Sequence, residues 1–479
     1  MAIKNIRIPF NVGYATKAMQ IPYLSRCVGK ISTNSEFMPL RHANCYGYRS
    51  DFLQLCETRK VSRKQPRNAH RMRALIFEPQ FAGHNLVYVR HIAQALLGLG
   101  VDVHLLTSRQ AIESEEYGKH LGGIAKDFSV TASDLFSNSS KGCSVRVNGP
   151  GGLFSSMRSL LGELKTTRPD HFYLPFGNPL AHALGIPNPV SRSLRQQGIE
   201  SEIVLLFGKY AYNHTDLSSK AKEQLALQLL ANGPWARIHH IVPHALEVMH
   251  RHSARLRGIA HLLADPIDPA PSMTKSQAKD MLGLEPNAKY ISLVGLIDRR
   301  KGVHDLLAAA RELGPRCDPS TKILLAGKNS PEARDLLAAE YSDLISSRRL
   351  VVLDRHLSQT ELWAACIASD AITTPYPKHQ YSASILIRAA SVGVPVLANA
   401  IGWMQDVTDR FGLGRVCDTG NPIEFAQTIR DITDGTQMHC VSDRSREFVE
   451  FHSLSNFQSQ ITERIAQRMA SGTSSVKFA

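Results

Sequence analysis

The stretch AITTPYPKHQYSASILIRAASVGVPVLANAIG, residues 371–402, decides the fold. Its apolar start at Ala371 ends at Pro375, and a turn-forming Pro-Lys-His segment follows. Ser382 and Ser384 offer hydroxyls suited to capping a helix, and Ile385–Val392 has the pattern of one. Gly393 suits the helix stop, and Val394–Ala398 reads as a buried strand. Strand, polar loop, helix and strand form the βαβ unit of a doubly wound α/β sheet. In such sheets ligands settle outside the carboxyl ends of the strands, where free N–H groups and the helix dipole favour phosphate. A βαβ unit that binds nothing fits the same pattern.

The residues themselves carry a resemblance. Ile385–Gly402 looks like the donor-binding helix and strand of glycosyltransferases with the GT-B fold, particularly the large retaining family 4. That family carries a glutamate, a Gly-Phe-Gly-like loop and, after seven intervening residues, a second glutamate, then Ala and a Gly-hydrophobic-Pro strand. Aligned without gaps, Gln380 stands at the first glutamate and Arg388 at the second. The scaffold matches and both carboxylates are replaced. In the family the second carboxylate accepts hydrogen bonds from the ribose hydroxyls, whereas arginine has only donors. Glutamine can still accept and donate at the sugar.

A second match lies at Gly295-Leu-Ile-Asp-Arg-Arg-Lys-Gly302, after the strand-like YISLVGL. Family members show Gly-Arg after this strand and Lys-Gly before the next helix, and the two cations grip the donor diphosphate. Lys301 and Gly302 match, Leu296 stands where arginine is common, and Arg299 or Arg300 is placed to supply the missing charge. A solvated basic turn is the competing reading. The serine, glutamate and leucine of SQTELWAAC (358–366) fit the family's short helix beside the base pocket.

Towards the amino terminus, ALIFEP (74–79) reads as a strand and VYVRHIAQALLGLG (87–100) as a helix with Val87, Val89, Ile92, Ala93, Leu96 and Leu97 near one face. The loop between them resembles the one that borders the acceptor cleft of GT-B enzymes. It places Gly83, His84 and Asn85 on the acceptor side. His84 is the candidate acid or base, since imidazole titrates near neutral pH; a loop histidine bonded to backbone is the alternative. A polar helical region is expected around residues 114–133 and a loop at GPGG (149–152). Phe207 stands near the family's sugar-transfer histidine, with Lys209 and His214 following, and Pro243-His244 replace a frequent serine. The histidines of 239–252 make no convincing metal set, because His250 and His252 fall on different helical faces.

At 479 residues, with 43% hydrophobic and 20% charged residues, the chain suits two or three globular domains. No apolar run approaches the length of a transmembrane helix. The eight cysteines show no paired spacing, which suits a reducing compartment. Of the net charge of +14, residues 1–71 supply +10, from 13 Lys/Arg against Glu36, Asp51 and Glu57. Three origins fit this basic extension: an early start site ahead of Met72, an arm for anionic membranes or nucleic acid, or a targeting sequence. No nucleic-acid module surrounds the charges, so nucleic-acid binding is not expected.

The expected division is a poorly ordered extension (1–71), a Rossmann-like acceptor-side domain (72–268), a Rossmann-like nucleotide-sugar-binding domain (269–445), and terminal helices returning to the first domain (446–479). The resemblance implies a cytoplasmic hexosyltransferase of polysaccharide biosynthesis, peripheral to the membrane if the extension is a membrane arm. Its co-substrate would be a nucleotide diphosphate sugar, its acceptor a glycan, lipid-linked or small molecule, with no cofactor or metal. Arg300, Lys301, Gln380, Ser382, Ser384 and Arg388 form the implied donor set, with the Ser382–Ser384 helix start offering N–H groups to diphosphate. The alternative is a catalytically degenerate partner protein. A sugar-nucleotide epimerase fits the motifs less well.

Residues 1–71 show no core periodicity, so a chain starting at Met72 should melt at the same temperature as the full chain. A fall of many degrees would show that the extension packs on the domains.

Overall fold

The computed structural model describes residues 71–83, 85–137, 145–147, 149–207, 217–314, 317–434 and 442–474. The basic extension up to residue 70, His84, Lys209 and His214 lie outside them. Short runs rich in Leu, Ile and Val become strands here because parallel sheets are covered on both faces. β1 (Arg73–Phe77), β2 (Asp102–Ser108), β3 (Ser129–Ser133), β4 (His171–Leu174), β5 (Glu200–Leu205), β6 (Trp235–His240) and β7 (Ala260–Leu262) form the first sheet. Its order is β3-β2-β1-β4-β5-β6-β7. β8 (Lys289–Val294), β9 (Thr321–Ala326), β10 (Leu350–Leu353), β11 (Ala371–Thr374), β12 (Val396–Asn399) and β13 (Gly414–Cys417) form the second, ordered β10-β9-β8-β11-β12-β13. Both are parallel throughout. Strand order reverses between β1 and β4 and between β8 and β11, so each sheet has one topological switch point.

Three local expectations change. Residues 114–133 hold a helix only over Glu115–Leu121; β3 then adds an edge strand whose Ser-Val-Thr-Ala-Ser sequence lacks the apolar content of a core strand. Gly149–Gly152, expected as a loop, open the Gly149–Thr167 helix, where Pro150 is tolerated because first-turn N–H groups lack intrahelical acceptors. The Asn85–Gly98 helix buries Leu86, Tyr88 and His91 alongside Val89, Ile92, Ala93 and Leu96, so its core stripe is turned away from Val87 and Leu97.

The chain crosses between the sheets twice. The first crossing follows β7, before the helix Lys275–Leu282. The second lies between the helix Asp443–Phe451, which packs on the second unit, and the helix Leu454–Ser474, which packs on Asn85–Gly98. Tyr88 meets Phe457 edge-on there, with ring centroids 5.6 Å apart. Beneath this terminal helix the first sheet is unusually polar. His239 bonds Glu202 through Nε2 at 2.7 Å with both side chains buried, Arg464 Nε donates to Glu200 at 3.0 Å, and Arg237 donates to Glu463 at 2.6 Å.

Burial pushes His452 and His261 down to about 4 and His240 down to about 3. Burial also pushes the Glu78 carboxyl up to about 8. The histidines are neutral in the fold and bind protons more readily when unfolded. Their contribution is complete above about pH 6.5 and is lost as pH falls towards 4. Glu78 acts oppositely: the fold keeps it protonated, and stability erodes as pH rises towards 8. Melting temperature should therefore peak near about pH 6.5, and Glu78→Gln should remove the decline on the alkaline side. A wild-type profile that keeps rising to about pH 8.5 would contradict this.

Candidate active site

At the switch point of the second sheet, the loop after β8 (295–302) lies against the loop after β11 (375–383). Gly302 makes that contact feasible. Its φ is +74°, and a Cβ there would fall 1.8 Å from the carbonyl oxygen of Pro375. Any side chain would force the two loops apart.

Asp298 organises the basic end of the first loop. Its Oδ1 accepts from the Lys301 N–H at 2.9 Å, and its Oδ2 accepts from Arg300 Nη2 at 3.4 Å. The Lys301 side chain turns back over β8, where Nζ donates to Val294 O at 3.0 Å and lies 5.6 Å from the centre of the Tyr376 ring. That bond engages one of its three N–H donors. Arg299, one of the two arginines weighed for the diphosphate, instead turns to Glu332 at 3.3 Å. Arg300 stays at the mouth of the loop with its side chain largely exposed.

The facing loop carries a residue that sequence reasoning missed. His379 bonds Ser382 O through Nε2 at 3.0 Å, and its ring meets Tyr376 and Tyr381 edge-on at 5.6 and 5.7 Å. Burial lowers its basicity, and the charges of Arg300 and Lys301 lower it further, against the opposing bond to Ser382. The only sequence signal was a histidine next to Gln380. Gln380 itself is held from below by Gly402, whose φ is +59° and whose absent Cβ would sit 2.8 Å from Gln380 Cα. The Trp403 N–H donates to Gln380 O at 3.2 Å.

One expectation is corrected. Ser382 and Ser384 do not cap a helix: the helix runs Ser384–Ser391, its N-cap is Ala383, and no side chain caps it. The Ser382 hydroxyl donates instead to Asp265 Oδ2 at 2.6 Å, because a carboxylate is the stronger acceptor. Arg388, the other member of the expected donor set on this helix, packs on a neighbouring helix. Its guanidinium lies 4.6 Å from the centre of the Trp363 ring and donates to Gln359 Oε1 at 2.9 Å, both on the helix Gln359–Ala368. Its Nη1 is buried without a hydrogen-bond partner.

On the first unit, Gly83 lies in the turn before the helix that Asn85 opens. Tyr88 of that helix donates to Asp265 Oδ1 at 2.7 Å, which brings the helix to the aspartate that also holds Ser382. Phe207, at the end of β5, meets Tyr381 edge-on at 5.2 Å and Phe176 at 6.0 Å. Rings from both units therefore line the space between the switch points.

Residues 274–446 match the family described as glycosyl transferases group 1. The match covers the second unit and does not extend over the first. The GT-B fold extends over both units: the Anabaena protein HepE, solved with UDP and glucose, superposes with a TM-score of 0.59 at 13% identity, covering 83% of this chain and all of that one. The sucrose-phosphate synthase of Thermosynechococcus elongatus gives a TM-score of 0.59 at 17% identity over 84% of this chain and all of that one. A D-inositol 3-phosphate glycosyltransferase of Corynebacterium urealyticum is 25% identical over 199 residues, 41% of this chain and 47% of that protein. The match therefore spans about half the length of that curated relative, and the mycobacterial enzymes of the same name match over 34% of theirs at 30% identity.

Gly302→Ala should lower stability by more than the roughly 1–3 kcal/mol of left-handed backbone strain, because a backbone clash adds to it. Gly283, with φ +66° and open space around it, is the control. Equal denaturant midpoints for Gly302→Ala and Gly283→Ala would mean that the two loops do not touch.

Proposed function

We propose that the protein is a glycosyltransferase that moves a hexose from a nucleotide diphosphate sugar to a glycan, lipid-linked or small-molecule acceptor, with retention at the anomeric carbon. The supporting observation is the contact between the Lys301 loop and the Gln380 loop at the second sheet's switch point. As the glycosidic bond breaks, negative charge grows on the leaving diphosphate. In this reading Arg300, exposed at the loop mouth, and Lys301 beside Tyr376 are the preorganised cations that stabilise that charge. The helix start at Ser384, uncapped by any side chain, offers its first N–H groups to the same phosphate. Gln380 is the sugar contact, able to donate and accept. Gly83, His84 and Asn85 border the acceptor.

A second reading, a donor-binding partner protein without turnover, draws on Arg388. The position that carries a ribose-binding carboxylate in the family here packs a guanidinium on Trp363.

Titration with UDP-, GDP- and ADP-sugars, followed by assay of nucleoside diphosphate release, separates these outcomes. Lys301→Ala should weaken the best-binding nucleotide sugar about tenfold, the effect of losing one charge-assisted hydrogen bond of roughly 1.5–3 kcal/mol. Binding that survives without release in the presence of acceptors favours the partner protein. Unchanged affinity in Lys301→Ala would reduce the loop to a solvated basic turn.

A further inference from the structure

We infer that Asp265 is a positioning residue that ties the sugar-facing loop 375–383 to the hinge between the two units. The inference deepens the proposed function, and rests on it for the statement that this loop meets the donor.

Asp265 sits on the first crossing, and its surroundings leave it little freedom. Its N–H donates to His452 Nδ1 at 3.1 Å, and the preceding N–H, of Ala264, donates to Gln460 Oε1 at 2.9 Å. Ile267 forms a parallel bridge with Ser453. The first crossing is thus laced to the second. Three residues after Asp265, Asp268 is gripped by Arg90 of the Asn85–Gly98 helix at 2.7 Å.

The carboxylate is consequently fixed relative to both crossings, and it divides its two oxygens between the units. Oδ1 accepts from Tyr88 of the first unit at 2.7 Å, and Oδ2 accepts from Ser382 of the second at 2.6 Å. A hydroxyl has one proton to give. While Ser382 donates to Asp265 it has none for phosphate, so its role is to anchor the loop. The His379 bond to Ser382 O then closes the turn that presents Gln380 and Tyr381. Rotation of one unit about the crossings must either carry this turn along or break the Ser382 bond. Loop position and domain orientation are thereby coupled through one carboxylate, with Tyr88 fixing its other end.

Hydrogen exchange on the ligand-free full chain tests the coupling without any nucleotide. Amides of residues 376–383 should exchange about tenfold faster in Asp265→Ala and in Ser382→Ala, the fold-change for one hydrogen bond to a charged group. The double variant should be no faster than the faster single one, and Ser382→Thr, which keeps the hydroxyl, should stay near wild type. If Asp265→Ala does not fold, Asp265→Asn gives the same comparison, since it keeps one acceptor oxygen and loses the other. Loop exchange unchanged in the single variants overturns the proposal. So does acceleration spread evenly over the whole chain, which is what a merely structural bond produces.

A binding arm completes the test. The nucleotide sugar that binds wild type best should bind about tenfold more weakly to Asp265→Ala and to Ser382→Ala, with no further loss in the double variant. If no nucleotide sugar binds wild type, the transferase reading fails and the exchange arm still decides Asp265. Additive losses in the two single variants overturn the coupling.

Discussion

A parallel strand cannot begin until the chain has returned to the edge where its neighbour began, so every strand of such a sheet delivers its following loop to the same side. That constraint governs what this molecule has available for chemistry. Lys301, Asp298, His379 and Gln380 come from separate loops, yet they meet because β8 and β11 are neighbours at the point where the winding reverses. The reversal sends the two following helices to opposite faces and leaves a crevice between the loops. Gly302 then determines how narrow the crevice floor becomes.

Most of the β framework was legible because burial on both faces leaves an unmistakable mark, a short run of branched apolar residues between turn formers. β3 was not, because an edge strand needs no such run. The site was legible to the extent that its contacts are local. Lys301 and Gly302 could be found because turn geometry and charge lie within one octapeptide. Ser382 was misassigned because local rules assume that a hydroxyl near a helix start has no better acceptor. Its acceptor lies 117 residues away, just ahead of the boundary expected between the two domains. The helix expected at Ile385–Val392 is found at Ser384–Ser391, but the sequence gives no sign of the aromatic face on another helix that takes the Arg388 guanidinium.

The electrostatic character of the crevice is also not the sum of its formal charges. Asp298 sits inside the basic loop and stiffens it by accepting from Lys301 and Arg300, at the cost of part of the positive field. His379 is held neutral in a partly buried place between two tyrosines, so it adds polarity without adding charge. In the proposed reading, Gln380 and Arg388 at the two positions where the family carries glutamates leave less negative charge near the donor diphosphate. Much of the arginine's benefit is forfeited, however, because its guanidinium is packed on Trp363 and one nitrogen is left without a partner. Arg300 remains exposed at the loop mouth, with Lys301 turned back over β8.

The terminal helix Leu454–Ser474 has a consequence for how the protein is made. It covers a face of the first sheet carrying Glu200, Arg237 and Tyr173, and it contributes Phe457 to the packing around Tyr88. Those strands leave the ribosome before the second sheet, whereas their cover emerges after it. During the whole interval in which the second sheet is synthesised, the first must wait with that face open to water and to other nascent chains. A surface of histidines, carboxylates and guanidinium groups can wait in that way, where a purely apolar one would invite aggregation. The polar layer beneath the helix is thus suited to an order of synthesis in which the first domain is begun before the second and finished after it.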